Sequence, residues 1–144
     1  MKNLTLFFVL ICVNSWLQSV TWHIKLDGTG DFTTIQEGIN ASVNSDTVLV
    51  YPGTYYENLN MNEKNIVLAS LELITSDPQY INSTIIDGQR LHSCIEIQNI
   101  TIGVTIRGFS IRNGYGTFYQ TSAGGGILSQ TVENTFIVNG YYDL

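Results

Sequence analysis

The chain has 144 residues, the length of one ordinary domain. Twelve acidic against six basic side chains leave a formal net charge of −6, and the bases are scattered, which argues against nucleic acid or an anionic membrane as partner. Of two cysteines one lies in an apolar leader, so Cys94 stands alone, stability cannot rest on a disulfide, and the thiol reads as a small buried hydrophobe.

Residues 1–20 read as an export signal. Lys2 gives a positive start, LTLFFVLICV at 4–13 is the apolar run, and 14–19 is a more polar exit. The run is too short to span a bilayer. Cleavage is expected near Ser19, although Leu17 stands where a small residue is preferred. Ile11, before Cys12, is too large for a bacterial lipid-anchor signal. No later segment is apolar enough to cross a membrane, so residues 21–144 are expected to be extracellular or at the cell surface, without membrane insertion once the signal is removed.

Strands are expected near 22–26, 47–51, 66–70, 84–86, 94–97, 104–106, 109–111, 126–128 and 135–138. Val, Ile and Thr alternate there with polar residues at the period of half-buried strands. One segment has helical period. In FTTIQEGINASV at 32–43, Phe32, Ile35, Ile39 and Val43 recur every three or four residues, and Thr33 with Gln36, or Thr34 with Glu37, fits a capping box. Gly38 weakens a helix by about 1 kcal/mol relative to alanine, and its small size suits close packing on a strand.

The pairs Asp27-Gly28 and Asp87-Gly88 are turn signals that an antiparallel sandwich would use. The commoner joints are longer. TIIDG at 84–88, VTIRG at 104–108, FSIRNG at 109–114 and GGGIL at 124–128 each read as a strand with a Gly/Asn corner, which fits parallel strands stacked coil on coil.

DGTGDFTTIQEGI at 27–39 and DTVLVYPGTYYENL at 46–59 resemble the opening of pectin methylesterases and other pectin-lyase-like proteins. The later coil motifs are similar to those of exported bacterial β-helix surface proteins. The resemblance implies an all-β class: a right-handed parallel β-helix, a single-stranded solenoid with one N-terminal capping helix, occupying 21–144 and incomplete at its C-terminus. It also implies that Glu57 belongs to the scaffold. The catalytic motifs of pectinesterases, polygalacturonases and pectate lyases are absent, so no catalytic residue is assigned.

Tyr115, Phe118 and Tyr119, in the Gly-rich stretch NGYGTFYQTSAGGG, are the candidate ligand-binding residues, since aromatic faces stack on sugar rings and binding residues concentrate in loops. Packing of these rings back onto the neighbouring coil is the competing reading. Arg107 and Arg112 are expected to face solvent, with an acidic sugar as the other reading. Asp27, Asp31 and Asp46 read as turn residues, and His23 and His92 lack zinc spacing, so neither metal nor cofactor is expected. Asn40, Asn82 and Asn99 stand in glycosylation triplets.

Three functions stay open: a non-catalytic exported module that binds polysaccharide or displays itself at the cell surface, the front part of a pectin-class esterase or lyase, and a spacer or adhesin stalk. Self-association through an uncovered C-terminal coil is also expected.

Overall fold

The computed structural model describes residues 18–98, 103–116, 126–130, 136–138 and 141–142. The expected export signal at 1–20, the triplet at Asn99, and the expected uncovered C-terminal coil as a route to self-association fall wholly or partly outside them. Among the described residues twelve short strands and three helices follow in sequence. They are β1 Thr21–Ile24, α1 Ile35–Ala41, β2 Thr47–Val50, β3 Gly53–Tyr55, β4 Leu59–Asn60, β5 Val67–Ser70, α2 Glu72–Thr75 and α3 Gln79–Ser83. After these come β6 Thr84–Asp87, β7 Ile95–Gln98, β8 Thr105–Arg107, β9 Ser110–Arg112, β10 Ile127–Gln130, β11 Phe136–Val138 and β12 Tyr141–Tyr142.

The strands form three small sheets, ordered β1-β2-β5-β8-β11, β3-β6-β9-β12 and β4-β7-β10. Every named pairing is parallel. Register stacks like on like. Val48, Leu68 and Ile106 align in the first sheet, Tyr55, Ile86 and Ile111 in the second, and Leu59, Ile95 and Ile127 in the third. All but the partly buried Ile127 lie in the core. Alternation with a period of two sends these rows inward and leaves Thr47, Thr54 and Glu96 outward. TIIDG and FSIRNG are spatial partners, with Ile85 beside Ser110 and Asp87 beside Arg112.

The expected all-β right-handed parallel β-helix, a solenoid with one helix, is corrected here. The described residues form a mixed α/β arrangement of short parallel strands in three small sheets with three helices. The segment between β5 and β6 folds as α2 and α3 instead of a plain corner. Its two helices are four and five residues long, too short to show a helical period in sequence. The register partners Thr21, Thr47, Val67, Thr105 and Phe136 are also unevenly spaced along the chain, so no fixed repeat underlies the sheets.

Helix α1 covers the β1–β2 region. Ile35, Gly38 and Ile39 are its buried residues. A Cβ at Gly38 would lie 2.6 Å from Ile24 Cδ1 and 3.1 Å from Val48 Cγ1, so the helix packs this closely only because residue 38 has no side chain. The helix is shorter than its apolar period suggests: it starts at Ile35 and leaves Val43 exposed. Thr34 is the N-cap, its Oγ1 accepting from Glu37 N at 3.3 Å and donating to Glu37 Oε2 at 2.8 Å.

The stretch 57–64 binds both ends of α1. Glu57 accepts from Ile35 N at 2.8 Å and Gln36 N at 2.9 Å. Lys64 Nζ donates to the carbonyls of Ile39 and Asn40, both at 2.7 Å. A carboxylate thus meets the positive end of the helix and an ammonium the negative end. Gln36 adds a two-way link, donating to Asn60 O and accepting from Asn60 N.

Candidate functional site

The turn after β6 and the loop after β9 form one corner of the molecule. Gln89 and Arg90 take φ of 54° and 59°, and Asn113 takes 53°, all left-handed. Two backbone hydrogen bonds join the loops: Arg90 N donates to Asn113 O at 2.7 Å, and Tyr115 N donates to His92 O at 2.9 Å. Beneath them, Asn58 Nδ2 donates to the carbonyls of Gly88, His92 and Ser93. Gly88 is closely packed, since a Cβ there would lie 2.8 Å from Cys94 Sγ and 2.9 Å from Asn113 O.

Asp87 is the hub of this corner. It is 4 % exposed and accepts from Gln89 N, Arg112 Nε and Asn113 Nδ2, each at 3.0 Å. Burial pushes its pKa up, but the Gln89 N–H, the Asn113 amide and the Arg112 guanidinium outweigh that and hold it below the ordinary carboxylate value. Asp87 thereby fixes Arg112, whose side chain remains 44 % exposed. Outward from this frame stand exposed Arg90, Leu91, His92 and Tyr115, with Leu91 and Tyr115 each 58 % exposed. The corner therefore presents exposed Leu91 and Tyr115 together with exposed Arg90 and with an Arg112 guanidinium held by Asp87, on a chain that is acidic overall.

Of the three expected ligand-binding residues, Tyr115 stands at this corner, while Phe118 and Tyr119 lie outside the described residues. Arg107 points elsewhere. Its Nε and Nη2 bond the two oxygens of the buried Glu72 at 2.6 and 3.0 Å, fastening α2 to β8. Cys94 is fully buried and donates to Arg112 O at 3.2 Å, and burial pushes its pKa up. Arg90 and Leu91 were not singled out by sequence. The one local signal was the Asp87-Gly88 turn pair, which marks a corner but not what the corner displays.

The acidic residues are engaged in holding backbone. Asp46 accepts from Val20 N at 2.8 Å, Val43 N at 2.9 Å and Trp22 Nε1 at 3.4 Å. Asp31 accepts from His23 N at 2.7 Å, and Asp27 from Thr29 N and Oγ1. The Thr29 N–H and hydroxyl hold Asp27 below its ordinary pKa. Asn40 Oδ1 accepts from Gln36 and Asn62, while Asn82 is exposed in α3. Among the described residues no three His, Cys, Asp or Glu converge as metal ligands.

Compared with models of known protein families and with curated proteins, the chain matches none.

Proposed function

We propose that the chain is an exported, non-catalytic module that binds an anionic polysaccharide at the corner formed by Arg90, Leu91, His92, Arg112 and Tyr115. The observation that carries this reading is the pair of backbone hydrogen bonds that sets exposed Tyr115 against the arginine turn. An aromatic face takes the apolar face of a sugar ring, and neighbouring guanidinium groups take its carboxylate or sulfate by charge-assisted hydrogen bonds. A rigid corner loses little freedom on binding, which favours a preformed site. The carboxylates support a binding role over acid–base work, because Glu57, Asp46 and Asp31 each hold backbone N–H groups and Asp87 holds Arg112. The export reading rests on Lys2 and the apolar run at 4–13.

Affinity electrophoresis tests this proposal. The full chain is run in gels carrying an anionic polysaccharide, a neutral one, or none. Retardation is expected in the anionic gel, reduced by added salt and by Tyr115→Ala or Arg90→Ala, with unchanged far-UV circular dichroism. Equal mobility in all gels, or retardation that both variants keep in full, overturns it.

A further inference from the structure

Past the end of β1 the chain turns outward and leaves an open cleft of about 340 Å3, lined by Lys25, Leu26, Asp27, Tyr51 and Pro52. This is the low end of the size range for small-molecule sites, roughly 300–1,000 Å3. The cleft lies at the passage from β2 to β3 and shares no residue with the Tyr115 corner.

The Lys25 ammonium sits 4.5 Å from the centroid of the Tyr51 ring. The ion pairs among the described residues, Arg107–Glu72 and Arg112–Asp87, do not involve it. Asp27 lines the same cleft; its carboxylate bonds Thr29 and feels the charge of Lys25 without a direct ion pair. The ammonium thus rests on an aromatic face, with N–H donors unclaimed by any carboxylate, at the mouth of a cavity. Its support is fixed. Tyr51 N donates to Ile24 O at 3.0 Å, the Tyr51 hydroxyl lies 3.4 Å from His23 Nδ1, and Tyr51 O accepts from the Tyr55 hydroxyl at 2.9 Å. Leu26 leans over Gly53, where a Cβ would come within 2.5 Å of Leu26 Cδ1, and with Pro52 it supplies apolar walls.

We propose that this cleft binds a small organic monocarboxylate, its carboxylate on the Lys25 ammonium and its apolar body between Leu26 and Pro52. The cation and ring form a donor platform, and the exposed Leu26 and Pro52 offer apolar contact to the body of the ligand. Asp27 at the rim sets the charge limit. A second negative charge on the ligand would meet its carboxylate, so a monoanion is preferred over a dianion such as phosphate.

The experiment is an amide-resolved NMR titration of the full chain with cyclohexanecarboxylate, with cyclohexylmethanol as the neutral match and, at a pH above its second ionisation, inorganic phosphate as the dianion. Saturable shifts are expected at Lys25, Leu26, Asp27, Tyr51 and Gly53 with the carboxylate, and much weaker ones with the alcohol and phosphate. Lys25→Gln is expected to lower affinity about tenfold or more, the scale of a lost charge-assisted hydrogen bond, and Lys25→Arg to keep it. The proposal is overturned if the carboxylate gives no saturable shift, if alcohol or phosphate binds as well, or if folded Lys25→Gln binds unchanged. Should Lys25→Gln not fold, the comparison of the three probes on the unaltered protein decides alone.

Discussion

Asp46 is 2 % exposed and ties three donors, those of Val20, Val43 and Trp22, to one carboxylate. Its removal leaves those donors unpaired, so Asp46→Ala is expected to lower unfolding free energy by about 2–3 kcal/mol in urea titrations. Burial pushes the Asp46 pKa up, but the N–H groups of Val20 and Val43 outweigh it, so the folded value is lowered. A lowered folded pKa contributes stability above the unfolded value, about 3.9, that is lost as pH falls through the folded value. Urea titrations from pH 5 to pH 2 are therefore expected to show an acid limb that Asp46→Asn flattens. Tyr55 has the opposite sign. Burial first, then the charges of Glu57 and Asp27, raise its pKa to about 12. Stability linked to the neutral phenol is present below about pH 10 and lost as pH rises toward 12. Tyr55→Phe is expected to weaken the fold by about 1 kcal/mol near neutrality and to flatten the alkaline limb, measured in the same titrations between pH 8 and 12.

Helix α1 shows how an element borrows its ends from elsewhere. Glu57→Ala frees the N–H groups of Ile35 and Gln36 and is expected to cost about 1–2 kcal/mol, read as a lower thermal midpoint with reduced helical circular dichroism. Ile39→Asp places an unpaired charge at a fully buried position and is expected to cost about 3 kcal/mol or more in urea titrations. The sequence showed the helix itself through its three- and four-residue spacing and the Thr34–Glu37 pair. It did not show that Glu57 and Lys64 cap the helix, because those partners become neighbours only once the sheets align. Strands such as Thr47–Val50, Val67–Ser70 and Ile95–Gln98 were legible from their alternation. Gly53–Tyr55 and Leu59–Asn60 were not, being too short for a period, and the same brevity hid α2 and α3. At the candidate corner Tyr115 was legible as an aromatic in a Gly-rich loop. Arg90 was not, since a left-handed arginine looks like any polar residue until its φ is known.

Across the molecule, stability depends on pairings between strands far apart in sequence, with α2 and α3 clipped on from outside. The clip is the Arg107–Glu72 pair, in which the carboxylate is buried and the guanidinium about a quarter exposed. Arg107→Ala is expected to cost about 1–3 kcal/mol and to speed amide exchange in 72–83 relative to the strands, since partial exposure moderates the loss. The first sheet also treats its β1 edge in a particular way. His23 N donates to Asp31, His23 O accepts from Asp31 N and Phe32 N, and Lys25 N donates to Phe32 O, so the outward groups of His23 and the N–H of Lys25 are already bonded to the chain's own turn. Two copies meeting β1 to β1 at His23 and Lys25 would have to break these four bonds in each copy. A two-fold dimer in which this edge faces itself is thereby disfavoured, because each copy would give up bonds it already has for the bonds it gains.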